Sequence, residues 1–170
     1  MITYAPAQFT SLGIADGRAG IRQTLRLMRK LVTAYRATPS VRETAISIVA
    51  STPPKAHLAE IDAVFEYVRD SIRYVMDVFD TETLHSPDQV LRIGAGDCDD
   101  KSILLASLLE SIGYATEFAV VGYTNRNNFE HVYTIAILPD GTEISLDPTE
   151  QVNIGWAPPN PVAYETERTI

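Results

Sequence analysis

Cys98, His131 and Asp147 follow one another in the order thiol, imidazole, carboxylate, and that set can perform nucleophilic chemistry on a carbonyl. A cysteine attacks as its thiolate, and a free thiol with pKa about 8.5 is mostly protonated at neutral pH. Here Asp97 can cap a helix whose first residue is Cys98, so partial positive charge at the helix N-terminus would favour the thiolate. A nearby imidazolium would add a full charge. Asp97, Asp99 and Asp100 act in the opposite sense unless they point at backbone amides or solvent. A lone cysteine is more often an inert, buried small hydrophobe. A cysteine between Gly96-Asp97 and Asp99-Asp100, at the mouth of an apolar helix, is not in a typical core setting.

The turn Pro139-Asp140-Gly141 links the other two candidates. It reads as a type I turn closed by a left-handed glycine, a three-residue hairpin loop. Leu138 then closes the hairpin against Thr142, and counting back pairs Ile137 with Glu143, Ile135 with Ser145 and Tyr133 with Asp147. Asp147 falls diagonal to His131 on the same face, within side-chain reach. A two-residue loop would put the two on opposite faces. The expected roles are Cys98 as nucleophile, His131 as base and then acid, and Asp147 as the group that orients the imidazole.

The elements that must hold these residues are legible from periodicity. Residues 1–16 have no period and read as an arm. An amphipathic basic helix is expected over 18–37, with Ile21, Leu25, Met28, Val32 and Tyr35 on one face and Arg18, Arg22, Arg26, Arg29 and Lys30 on another. Pro39 breaks the chain, and Ser40 with Glu43 forms a capping box for a helix over 40–50. A third helix is expected over 57–76, its buried stripe being Leu58, Ile61, Phe65, Val68, Ile72 and Val75. Ser86, Pro87 and Gln89 have N-cap, N1 and N3 spacing for a short helix reaching Arg92, and Gly94-Ala95-Gly96 reads as a flexible turn. The helix over 98–112 is apolar almost all round, as a central buried helix is, with Gly113 placed to end it. Strands are expected over 115–123, 130–138 and 142–147. Residues 151–170, with Pro158, Pro159 and Pro161, read as an irregular tail outside a domain spanning 17–150. The fold class is α+β: a helical N-terminal half, then a Cys-bearing helix packed on an antiparallel sheet.

Length and composition agree with one globular domain, 170 residues at 45% hydrophobic content. One cysteine excludes an internal disulfide or a Cys-rich zinc site. The three histidines are scattered without ligand spacing, and Gly94-Ala95-Gly96 lacks the lysine of a phosphate loop, so no metal or other cofactor is expected. No apolar run is long enough for a membrane span. With no secretory signal at the start, a cytoplasmic or virion-associated location is expected. Residues 1–42 carry seven Lys/Arg and one acid, whereas the rest carries seven Lys/Arg against 21 acids. The basic helix is therefore expected to dock on its own acidic body or on an anionic partner, without sequence-specific nucleic-acid binding.

Three segments, GAGDCDDKSILLASLLESIGY, EHVYTIAIL and ISLDPTE, occur in that order, and on them the chain resembles the transglutaminase-like superfamily of cysteine enzymes. The family's Gly-Asp-Cys turn, strand His and following strand Asp fall on Cys98, His131 and Asp147. The segment VRDSIRYVMD is similar to the stretch that precedes the nucleophile. More narrowly, the basic helix, PSVRETAISIVA and GDCDDKSILLASLL look similar to compact members encoded by bacteriophages and prophages. The chain departs from the family at Val132, where an aromatic often follows the histidine. The resemblance implies a papain-like cysteine hydrolase acting on a protein or peptide, whether peptidase, isopeptidase or amidase, through a thioester. It also leaves open an inactive assembly module, with virion proteins as partners, or acyl transfer to an amine. The Cys98 amide is the natural first oxyanion donor, and Gln89, His85 and Tyr74 are candidates for the second. Arylamine N-acetyltransferases fit less well, since the Arg-Gly-Gly-x-Cys turn is absent. So do cell-wall peptidases with a second histidine as third member, because His57 and His85 both precede Cys98.

Overall fold

The computed structural model describes residues 13–76 and 83–170. In chain order the elements are α1 (Gly17–Tyr35), α2 (Pro39–Val49), α3 (His57–Ser71), β1 (Arg73–Tyr74), α4 (Pro87–Ile93), β2 (Ala95–Gly96), α5 (Cys98–Ser111), β3 (Ala115–Gly122), β4 (His131–Ile137), β5 (Glu143–Leu146) and β6 (Ala163–Arg168). Most of the expected arm, residues 1–12, lies outside the described residues, as do residues 77–82. Among the described residues no helix is long and apolar enough to cross a membrane.

The apolar periodicity of α5 makes it the centre of the molecule. Residues 100–110 are all buried, ringed by α1, α2, α3 and α4 on one side and by β3 and β4 on the other. Leu104, Leu105, Leu108 and Leu109 join Ile61, Val64, Phe65 and Val68 of α3 in the larger core, while Ile103 and Ala106 meet Leu25, Met28 and Val32 of α1. Each charged side chain on this buried helix has a partner, as the cost of desolvating an unpaired charge requires. Asp100 bonds His85, Glu110 Oε2 meets Arg36 at 2.9 Å, and Lys101 Nζ donates to Ile72 O at 2.8 Å and Arg69 O at 3.2 Å.

The four-stranded sheet is antiparallel in the order β5-β4-β3-β6. Its hairpin has the register expected from the turn, with Ile137 opposite Glu143 and Ile135 opposite Ser145. Gly141 sits at φ 85°, and Leu138 N–H donates to Thr142 O across the loop. That φ favours glycine because an L side chain clashes there.

Five expectations need correction. The tail is not irregular throughout, since β6 pairs along β3 and completes the sheet. Its alternation is not apolar: Glu165 and Glu167 face α1 and meet Arg18, Arg22 and Arg29, so no hydrophobic period marks it as a strand. The helix over 57–76 stops at Ser71 because the chain turns extended. Arg73 N–H donates to Gly94 O and Val75 N–H to Gly96 O, which makes Ala95–Gly96 a short parallel strand rather than a flexible turn. Leu58 and Val75 are exposed, and Val64 occupies the buried stripe instead; His57 makes the inward contact at the helix start, with Tyr114. The Ser40–Glu43 capping box is also absent. Thr38 is the N-cap and Pro39 is N1, where its missing N–H costs nothing, and the Ser40 hydroxyl turns to Asp88. By contrast, Ser86 caps α4 through the Gln89 N–H as its spacing requires.

Burial pushes the Lys101 ammonium down to about 8, only partly offset by Asp147 and Asp70. Unfolded, the same lysine titrates near about 10.4. Between those values the unfolded chain binds more protons, so folding stability rises with pH. Denaturant melts from pH 8 to 9.5 should show the unfolding free energy increasing in wild type and flat in Lys101→Met. A wild-type slope of zero or of opposite sign would mean that the ammonium is not desolvated.

Candidate active site

Cys98 opens α5, and Asp97 holds that end by accepting the Asp100 N–H on its side chain at 3.1 Å. The preceding glycine is required by close approach: a Cβ on Gly96 would stand 2.6 Å from Asp100 Cβ. Asp100 is itself a clamp, taking the His85 backbone N–H on Oδ1 and the His85 Nδ1–H on Oδ2, both at 2.7 Å. The N-terminus of α5 is thereby tied to the segment that leads into α4.

His131 begins β4, and Asp147 follows the last residue of β5. The His131 Nε2–H donates to Asp147 Oδ2 at 2.7 Å. The second carboxylate oxygen, Oδ1, accepts the Thr149 N–H at 3.1 Å and the Thr149 hydroxyl at 2.7 Å. Asp147 is 1% exposed. Burial alone would raise its carboxyl, but the His131 hydrogen bond and charge and the Thr149 donors hold it below the usual carboxylate range. Asp147 is thus an ionised, fully hydrogen-bonded group that fixes one nitrogen of the imidazole and leaves Nδ1 for other work.

The Cys98 sulfur meets the residue that follows His131. The ladder between β4 and β5 ends at Thr134↔Leu146, and continuing the count would put Pro148 opposite Val132. The chain leaves the sheet there instead, and Cys98 packs against the apolar cluster that holds Val132. The thiol therefore sits at the open edge of β4 where the ladder ends. Its environment opposes ionisation: burial, then the charges of Asp99 and Asp97, push the thiol up, while the Val132 and Asp99 backbone N–H groups pull the other way.

The three oxyanion candidates separate. Tyr74 lines the cleft, held by β1 pairing with β2, where Tyr74 lies opposite Gly96. Its phenol is raised by burial and by the charges of Cys98, Asp97, Asp99 and Asp147, so it stays a donor. His85 is committed to Asp100 and Gln89 stands at N3 of α4; neither lines the cleft.

The cleft is a cavity of about 390 Å³ lined by His131 and Asp147 together with Tyr74, Tyr123, Trp156 and Glu150, while Cys98 is not among its lining residues. Sequence reasoning did not find Thr149, Tyr123, Glu150 or Trp156. Thr149 had a signal, since a hydroxyl two residues after an Asp can close onto that carboxylate. Trp156 had none, because it lies in an aperiodic stretch that Gly155 N–H pins to Ser145 O.

A search of curated protein sequences finds no match. Among solved structures, a candidate protease from Parabacteroides distasonis aligns over 86% of this chain and 29% of its own, with TM-score 0.59 and 12% identity. A candidate cysteine protease from Cytophaga hutchinsonii aligns over 77% of this chain and 43% of its own, with TM-score 0.56 and 16% identity. Calcium-bound LapG from Legionella pneumophila aligns over 76% of this chain and 75% of its own, with TM-score 0.53 and 18% identity. The chain spans less than half the length of the first two, and at these identities the likeness is one of fold. The model of the transglutaminase-like superfamily matches residues 42–148, more than half of the chain and a span that holds Cys98, His131 and Asp147, and on that ground the chain belongs to the transglutaminase-like superfamily.

Proposed function

We propose that the protein is a cysteine hydrolase that cleaves a peptide or related amide through a thioester on Cys98. The observation that carries this reading is the His131–Asp147 hydrogen bond at 2.7 Å, with Cys98 packed against the cluster that holds Val132, the residue after His131. In the first half-reaction the sulfur bonds to the substrate carbonyl carbon and its proton passes to His131 Nδ1. The Cys98 backbone N–H and the Tyr74 phenol hold the oxyanion. Collapse breaks the C–N bond, and the leaving amine takes the proton from His131. In the second half His131 accepts a proton from water, hydroxide adds to the thioester, and the acid leaves as the proton returns to sulfur. Because burial and two aspartates raise the thiol, the sulfur would give up its proton during attack rather than before it.

A second reading rests on that same thiol environment, which suits a member that keeps the fold for assembly and turns over nothing.

The pH dependence of iodoacetamide alkylation separates the two. For the hydrolase, the Cys98 rate should climb through pH 9 with no acid plateau, and His131→Ala should slow it at pH 7.5. Asp99→Asn should speed it severalfold by removing a charge that opposes the thiolate. A rate indifferent to His131→Ala would sink the enzyme reading. Among amide and peptide substrates, Tyr74→Phe should lower kcat by about 100- to 1000-fold with little change in KM, as loss of one oxyanion donor does. An unchanged kcat would remove Tyr74 from the mechanism.

A further inference from the structure

The walls of the cleft carry more chemistry than the triad uses. Tyr74, Tyr123 and Trp156 are 46%, 42% and 37% exposed, three large aromatics around one cavity. Their faces are partly open to solvent, and an exposed aromatic face is a binding surface for a cation. The charges beside them have one sign. Glu150 and Asp147 line the cavity and no Lys or Arg does. Asp147 is satisfied by His131 and Thr149, whereas Glu150 is exposed and has no ion-pair partner among the described residues. The cation whose charge reaches Asp147 from within, Lys101, is buried, with its ammonium given to the Ile72 and Arg69 carbonyls. The Tyr123 phenol records the resulting field. It is raised by burial and then by the charges of Asp147, Glu130 and Glu150.

We propose that this aromatic, anionic cleft is a specificity subsite for a cationic side chain of the substrate, a primary ammonium or guanidinium. Tyr74, Tyr123 and Trp156 supply the π faces and Glu150 the counter-charge. Neutral aliphatic side chains gain the apolar contact alone, and acidic ones are repelled by Glu150 and Asp147. The inference rests on the hydrolase reading for its substrate and names the class that the site selects.

Trp156 is the chain's one tryptophan, so intrinsic emission reports the cleft directly. The experiment titrates the full chain carrying Cys98→Ala with Nα-acetyl-lysine amide, Nα-acetyl-norleucine amide and Nα-acetyl-glutamate amide. Lysine and norleucine differ by the ammonium and share the aliphatic stem. The lysine compound should give a saturable change at tens of millimolar or below and bind at least about tenfold more tightly than norleucine. That preference should collapse when Glu150→Gln is added. Equal binding of lysine and norleucine, stronger binding of the glutamate compound, or no saturable response to lysine would each overturn the subsite. The readout needs no turnover. A chain that hydrolyses amides without preferring lysine loses this inference and keeps the hydrolase reading, and failed alkylation with a lysine preference separates the two in the other direction.

Discussion

The all-round burial of α5 is the constraint on which the rest of the structure depends. A helix with apolar residues on every face cannot rest against one partner, and its surroundings must supply a wall on each side. That demand accounts for four helices on one side and the two inner strands on the other. It also accounts for the polar groups found at depth. Asp100, Lys101 and Glu110 are tolerated because His85, the α3 carbonyls and Arg36 with Thr116 answer them. Once those pairs are made, the helix has no freedom to slide or rotate, and its first residue is held against the end of β4. The position of Cys98 is thus a product of core packing rather than of a local loop.

The second constraint is register. The turn at Pro139-Asp140-Gly141 sets which residues of β5 face those of β4, and a slip of one would turn Asp147 away from His131. Pro148 then removes the chain from the sheet at the point where Val132 would next be paired. The same departure sends residues 149–162 past the site. Thr149, Glu150 and Trp156 reach the cleft on that path, and β6 anchors its far end on β3. The segment beyond Asp147 therefore both completes the sheet and walls the cleft.

Much of this was legible in the residues. The buried helix, its Asp97 cap, the Ser86 cap and the hairpin register follow from local rules, in which the periodicity or the hydrogen bond involves residues a few positions apart. The features that escaped depend on distant partners. β6 has glutamates where a strand rule expects apolar residues, and only the arginines of α1 make sense of them. The two-residue strand at Arg73–Tyr74 forms because Gly94 and Gly96 offer carbonyls some twenty positions away. Ser40 looked like a cap by spacing, but Pro39 at N1 and Asp88 across the interface took its role away. His85 could not be separated from Tyr74 as a cleft residue without knowing that Asp100 holds it.

The electrostatics of Cys98 follow from the same architecture. Asp97 is needed to cap α5, and a capping carboxylate one residue before the thiol necessarily disfavours the thiolate. The helix end that would activate a cysteine is here stabilised by the charge that deactivates it. Among the groups lining the cleft, only an imidazolium at His131 could restore positive charge from within. A cationic side chain held against Glu150 would add positive charge from the substrate side and offset part of the field of Asp97 and Asp99 at the sulfur. In the proposed hydrolase the thiol would then be least reactive without substrate, with the capping charge left in place.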